Sequence, residues 1–349
     1  MDVFGFDIET HLLWASAVGL GLTAFILGRA RGRQVALRAT ASPSGATSEP
    51  EVPSSGLPRV EYEEDHSIDP TRVGQGPAAE ACLEAPALPI LYDNDAAIDE
   101  PTHAGALIVT SAHAQTDRGR CRKRNEDSVL AKDDQGLYVV ADGMGGYAGG
   151  ALASHLAVET IATAFARESF AGSPHGNIPR RASELARAIQ MANVRIRAAA
   201  HEDPALEGMG TTVCAARFSP NKQRLYVGHV GDSRVYRLRR GRLKQMTADH
   251  TMRDYGVGGP AAAYLSRAIG VWPIVPIDVV IAKPQPGDIY LLCSDGLTKM
   301  VSNDAISEVL TSAPATIAAE RLVSEANAHG GQDNISVIVV EVRSPGLAA

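Results

Sequence analysis

The chain has 349 residues, 45% of them apolar, enough for one large core with appendages, since single cores usually stop growing at about 250–300 residues. Its formal charge of -7 is uneven: residues 1–105 carry 6 Arg against 16 Asp or Glu, whereas residues 106–349 carry 27 basic against 24 acidic side chains. There is no basic stripe of the kind a nucleic-acid binder needs, and the four scattered cysteines, Cys82, Cys121, Cys214 and Cys293, fit neither a disulfide framework nor a zinc site and point to a reducing compartment.

Residues 12–28 run about 17 positions without a charge, the short end of what spans a bilayer as a helix. Asp2, Asp7 and Glu9 precede the run, and Arg29, Arg31, Arg33 and Arg38 follow it. Basic flanks stay on the cytoplasmic side, so residues 1–38 read as a single-pass anchor in the cytoplasmic (inner) membrane, with the rest of the chain in the cytoplasm. A cleaved signal peptide would carry its basic charges first, and a buried core helix would show caps or a polar face. From 39 to 105 Ala, Pro, Ser, Gly and acidic residues dominate without apolar periodicity, which predicts a disordered acidic linker.

The folded domain is expected over 106–343, with a tail at 344–349. Strands are predicted at 107–114, 128–131 and 137–141, the last two forming a hairpin arm behind the mixed-charge segment Arg122-Lys-Arg-Asn-Glu-Asp127. Leu152, Leu156, Ile161 and Phe165 fall at helical spacing, as do Leu185, Ile189, Ala192 and Ile196. The period then switches to two over 211–218, 224–230, 234–238 and 243–246, which predicts one antiparallel meander with Asp232 in a tight connection. Residues 249–270, with Gly256-Val-Gly-Gly-Pro260, read as a flexible surface insertion. Strands at 278–282, 289–294 and 335–342 and helices at 303–310 and 315–328 complete the pattern. An α+β, four-layer α/β/β/α sandwich of two antiparallel sheets flanked by helices accounts for it.

Three strand ends carry an aspartate. The apolar run Leu137-Tyr-Val-Val-Ala141 ends in Asp142-Gly143, a second run ends in Asp295-Gly296, and Asp333 opens the last strand. Gly143 can take backbone angles that a residue with a Cβ resists, so its carbonyl and the Asp142 carboxylate can aim at one point. An all-oxygen set selects Mg²⁺ or Mn²⁺ over zinc or copper. Two such ions bridged by one aspartate can activate a water and aim it at phosphorus while neutralising the phosphate oxygens. Arg122 and Arg124 offer the bidentate fork that a phosphate needs. The plainer alternatives are ordinary Asp-Gly turns and a structural calcium held by the three aspartates.

The segment from about 107 to 343, roughly two thirds of the chain, resembles the type 2C, metal-dependent protein serine/threonine phosphatases, in their bacterial Asp-Gly-Met-Gly-Gly form. The matching pieces, in family order, are Arg122 with Asn125-Glu126-Asp127, Ala141-Asp-Gly-Met-Gly-Gly146, Gly210-Thr-Thr212, Gly231-Asp-Ser-Arg234, residues 265–270, Ser294-Asp-Gly296 and Asp333-Asn334. The resemblance implies hydrolysis of phosphoserine and phosphothreonine in proteins, in opposition to a serine/threonine kinase. The cofactors it implies are two Mn²⁺ or Mg²⁺ ions, with no covalent phosphoenzyme. Asp142 would bridge the ions, the Gly143 carbonyl would bind one, and Asp295 and Asp333 would hold the other. Glu126 and Asp127 would act through metal-bound waters, Asp232 with Asp295 would form a weaker third position, and Arg122 would grip the substrate phosphate.

By the same resemblance Arg124 is a solvent-facing spare, and Thr211 and Thr212 are read simply as strand residues. Three departures stand out: Met144 replaces a histidine of the animal-type pattern, Ala151 stands where glutamate is expected, and the 249–270 insertion is short. Two rival readings follow from other classes, a membrane-tethered phosphoprotein-binding module and a hydrolase of small phosphoesters.

Overall fold

Alternate residues along a strand face opposite sides of its sheet, and here each side meets a different core. In the computed structural model, which describes residues 90–93, 108–145, 149–167, 170 and 178–345, the strands form two sheets. The first runs, in spatial order, β1 (Ile90–Tyr92), β10 (Asp278–Ala282), β7 (Leu225–Val230), β6 (Val213–Phe218), β4 (Leu137–Met144) and β3 (Asp127–Lys132), with β5 (Gly210–Thr211) beside the end of β4. The second runs β2 (Val109–Asp117), β12 (Ile335–Arg343), β11 (Ile289–Cys293), β8 (Arg234–Arg239) and β9 (Arg242–Gln245).

Leu137, Val139 and Ala141 of β4 face the helices α1 (Gly149–Ala166) and α2 (Arg180–Glu202). Tyr138 and Val140 face the other sheet, where they join Phe218, Tyr290, Leu292 and Ile338. Edge-on rings tie this middle layer, Phe218 lying 6.0 Å from Tyr138 and 5.9 Å from Tyr290. On the far side Leu291, Cys293, Val337 and Val339 pack against α4 (Asn303–Ser312) and α5 (Ala315–Ala328). Cys293 is thus a small core filler. Three cores between four layers give the expected α/β/β/α order.

The structure corrects several expectations. β1 pairs with β10 in parallel, Ile90 opposite Val279, so the first sheet is mixed rather than wholly antiparallel. β1 also lies inside the stretch assigned to the linker. Three apolar residues are too short to show a period, and what holds them is tertiary: the Asp93 amide donates to the Ile281 carbonyl, and its buried carboxylate pairs with Arg237 and, at 2.7 Å, with Lys244.

The predicted meander is divided. β6 and β7 belong to the first sheet, β8 and β9 to the second, and the chain crosses between layers at the turn Gly231 to Ser233. Period-two patterning is the same in either sheet, so sequence could not show the crossing. The 249–270 segment is likewise not a free insertion. Ile269 is fully buried and exchanges backbone hydrogen bonds with Thr211, and Thr251 bridges to Leu265, so both ends are tied down while its middle, around Tyr255 to Pro260, is largely exposed. The candidate span at 12–28 and most of the linker lie outside the described residues. Among the described residues no helix is long and apolar enough to cross a membrane.

Candidate metal centre

Asp142 continues the inward row Tyr138, Val140 and so emerges at the end of the layer between the sheets. Asp127, at the start of β3, is its direct cross-strand partner. Opposed residues on one sheet face stand close enough to interact strongly, so two carboxylates meet there. Asp295 opens the short helix α3 (Asp295–Thr298) after β11, Asp333 lies just before β12, and Asp232 sits in the turn that crosses the layers. These loops gather at the same end: Ser294 bonds Asp127, Thr212 bonds both the Asp142 amide and Ser233, and Lys299 reaches Asp295 and Asp333.

The electrostatics follow from that crowding. Burial, and then repulsion from those four carboxylates, pushes Asp142 well above the usual range. Burial also raises Asp127 to about 7, against hydrogen bonds from Ser336 and Ser294, with Asp295 and Asp333 adding to the rise. Asp232 is raised to about 7 by burial and Asp295. Glu126 is raised by burial, an effect that Arg122 opposes.

Two side-chain cations contact the cluster. Arg122 donates to Asp333 Oδ2 at 2.8 Å, and Lys299 pairs with Asp295 and stands 3.8 Å from Asp333 Oδ2. The six carboxylates, with Glu126, outnumber these two cations, and divalent ions would neutralise the excess when the acids are ionised. Asp127 Oδ1 and Asp295 Oδ1 are buried without a hydrogen-bond partner, although neither residue is wholly enclosed. Orphaned buried carboxylate oxygens are costly unless a cation completes them, so the donor set fits hard divalent ions. Among the described residues no three acidic or histidine side chains already close on one point.

The scaffold around these side chains is made largely of residues to which the sequence reading gave no role at the site. Thr212 Oγ1 accepts from the Asp142 amide at 3.0 Å, its own amide donates to the Asp142 carbonyl, and Thr211 Oγ1 donates to that carbonyl at 2.8 Å. Thr212 Oγ1 also lies 2.7 Å from Ser233 Oγ, linking β4 to the Asp232 turn. Thr211 and Thr212 are therefore clamps on Asp142 as well as strand-edge residues. Asn334 accepts from the Glu126 amide at 2.8 Å and donates to the Arg118 and Arg124 carbonyls at 2.9 Å, fixing the arm that carries Arg122. Ser294 Oγ donates to Asp127 Oδ2 at 2.8 Å and accepts from the Ser336 amide. For Ser233, Ser294 and Asn334 the signal was a small polar residue next to an aspartate in the chain; Thr211 and Thr212, far from Asp142 in sequence, carried none. Arg124 is exposed, as expected.

Gly143 plays its part differently from the sequence reading. It lies in β4 without a left-handed φ; the positive-φ residue of the turn is Gly145, at 115°. What Gly143 supplies is room: a Cβ there would stand 2.0 Å from the Gly150 carbonyl oxygen and 2.5 Å from that of Glu126. The close approach brings α1 against the site, and there Ser154 donates to the Glu126 carbonyl at 2.7 Å.

A family model for protein phosphatase 2C matches residues 117–328. The serine/threonine phosphatase Stp of Listeria welshimeri is 36% identical over 245 residues, covering 66% of this chain and 95% of that protein. The serine/threonine protein phosphatase PstP of Mycobacterium tuberculosis is 38% identical over 250 residues, covering 68% of this chain and 46% of that protein. The crystal structure of the PstP catalytic domain in complex with two manganese ions matches with a TM-score of 0.59 and 38% identity, over 68% of this chain and all of that one. A clustered set of carboxylates on a four-layer sandwich, and these likenesses in sequence and fold, lead to one conclusion: the chain belongs to the protein phosphatase 2C family.

Proposed function

We propose that this chain is a metal-dependent phosphatase acting on phosphoserine and phosphothreonine in proteins, and that it opposes a serine/threonine kinase. The observation that carries this reading is the Asp127–Asp142 cross-strand pair, crowded by Asp232, Asp295 and Asp333 beside Arg122. The names of the Listeria and mycobacterial relatives support the substrate class, and the two manganese ions in PstP support two Mn²⁺ or Mg²⁺ ions here.

Asp142 and the Gly143 carbonyl would hold one ion, with Asp142 shared to a second held by Asp295 and Asp333; Glu126 and Asp127 would support both from outside. When bound, the pair supplies an activated water and charge neutralisation at the phosphate. Arg122, half exposed and already drawn to this anionic corner, can present a guanidinium edge to a phosphate oxygen. Met144 has no proton to give, so protonation of the leaving alkoxide falls to another group.

Asp142→Asn should lower Mn²⁺-dependent hydrolysis of a phosphothreonine peptide by roughly 10²–10⁴-fold. Its melting temperature without metal should hold or rise, because asparagine carries neither the charge nor the proton uptake that burial and four neighbouring carboxylates make costly for Asp142. Turnover within about tenfold of the native enzyme would sink the assignment.

We also infer that residues 12–28 anchor the protein in the cytoplasmic membrane with the phosphatase domain inside, from the uncharged run and its arginine flank. Full-length protein should stay with membranes through a carbonate wash. Its release would remove the anchor.

A further inference from the structure

Single exposed apolar side chains are ordinary on any surface, but Val271, Trp272 and Ile274 are three within four positions, with 38%, 47% and 51% of their surface exposed. Their loop is not loose. Asn193, fully buried on α2, accepts from the Gly270 amide at 2.7 Å and donates to the carbonyls of Trp272 and Pro273 at 3.0 and 3.1 Å. Gln190 donates to the Pro273 carbonyl at 3.2 Å, and Val275 and Ile277, just beyond, are buried in the core between the first sheet and its helices. The fold thus fixes the backbone of this loop while leaving its apolar side chains in water.

The loop also lies beside the carboxylates. Gly143 and Met144 of β4 pair with Thr211 and Gly210 of β5, and on its other side Thr211 exchanges backbone hydrogen bonds of 3.0 Å with Ile269. Ile269 therefore stands two strand spacings, about 10 Å, from Gly143, a distance that about three residues of extended peptide cover. Met144 follows Asp142 by two positions and so shares its face of β4. A Cβ on Gly210, the cross-strand partner of Met144, would stand 3.1 Å from Met144 Cε and 3.0 Å from Val271 Cγ2, so these two side chains flank one point on that face. An apolar step, half-buried Met144 and then exposed Val271, leads from the carboxylate cluster to the loop.

We propose that Val271 and Trp272, with Met144, form an apolar subsite for a hydrophobic side chain of the substrate protein, within about three residues of its phosphorylated serine or threonine. The proposal rests on the reading that the carboxylate cluster hydrolyses phosphoproteins. A polypeptide whose phosphoresidue sits at that cluster lays its neighbouring side chains against the rim, and a loop already held by Asn193 gives up little freedom in meeting them. Contact with the site through Met144 and Gly210 is what selects substrate over a second copy of the chain as the occupant.

The test compares phosphothreonine peptides that carry Leu or Gln at each of the three positions on either side of the phosphothreonine, with an aryl phosphate as the control that has no flanks. Full-length native protein with Mn²⁺ should favour Leu at one of these positions by about tenfold in kcat/KM, the size that one apolar contact supplies. Val271→Ser and Trp272→Ser should each cut that preference to below about threefold, while aryl phosphate turnover stays within about twofold of native. Val271→Thr, which keeps the shape, repeats the measurement if serine disturbs the fold. Aryl phosphate and peptide turnover with no preference for Leu, or a preference that survives both substitutions, would overturn the proposal and leave the loop to another occupant. Native protein without Mn²⁺-dependent turnover of the aryl phosphate or of any peptide refutes the phosphatase reading itself, and this one with it.

Discussion

At the scale of single residues, the centre depends on the absence of atoms as much as on their presence. Gly143 has no Cβ where one would overlap two carbonyl oxygens, so helix α1 can close on β4 directly behind Asp142. Gly143→Ala must push the helix away, at an overpacking cost of about 1–3 kcal/mol. Urea denaturation should show a lower midpoint with an unchanged slope, and bound Mn²⁺ should weaken as the Gly143 carbonyl shifts. An unchanged midpoint would mean that α1 yields freely and that the contact positions nothing. Thr212 belongs to the same scale: one hydroxyl meets both the Asp142 amide and Ser233, tying together two acid-bearing segments 90 positions apart in the chain from Asp142 to Asp232.

At the scale of elements, the arm from Arg118 to Glu126 has no regular structure between β2 and β3 and relies on the Asn334 side chain for its shape. Asn334→Ala removes three hydrogen bonds at once, at a net cost of about 0.5–1.5 kcal/mol for each. Arg122 should then lose its fixed position. The expected result is a KM for phosphopeptide raised more than kcat is lowered, and a domain that still folds. If kcat falls alone with KM unchanged, the arm does not serve to place the phosphate-binding arginine.

At the scale of the whole molecule, burial in the first sheet sets a pH dependence. His229 on β7 lies beside Cys214 and Asp278 across the neighbouring strands, has the tilted His250 ring 4.6 Å away and Arg267 nearby. Burial lowers its pKa from 6.5 to about 3, with His250 adding to the effect and Asp278 opposing it. The unfolded chain therefore binds this proton first. The contribution of this ring is full above pH 6.5 and is lost as pH falls toward about 3. The slope from this residue approaches roughly 1.4 kcal/mol per pH unit in that window. Asp278, whose pKa is lowered by His250 and Arg267 despite its burial, adds its loss only below 3.8. Denaturation midpoints of His229→Leu between pH 4 and 6 should be flatter than those of the native protein. Parallel curves would show that the ring is not held neutral.

Much of this protein was legible in the residues themselves. Apolar runs ending in Asp142 and Asp295, and Asp333 opening another, mark strand ends facing a common site, because a buried strand alternates and its last inward position is fixed by parity. Helical spacing located both helix pairs for the same reason. What the residues could not show was which sheet each strand joins, since β7 and β8 carry the same alternation on either side of Gly231 to Ser233. Nor could they reveal the parallel β1, the clamps made by Thr212 and Asn334, or Lys299 beside Asp295 and Asp333. Local pattern reports only which face of a segment is buried. The partner on that face is chosen when distant segments pack, and the clamps, the lysine and the room at Gly143 all arise from that choice.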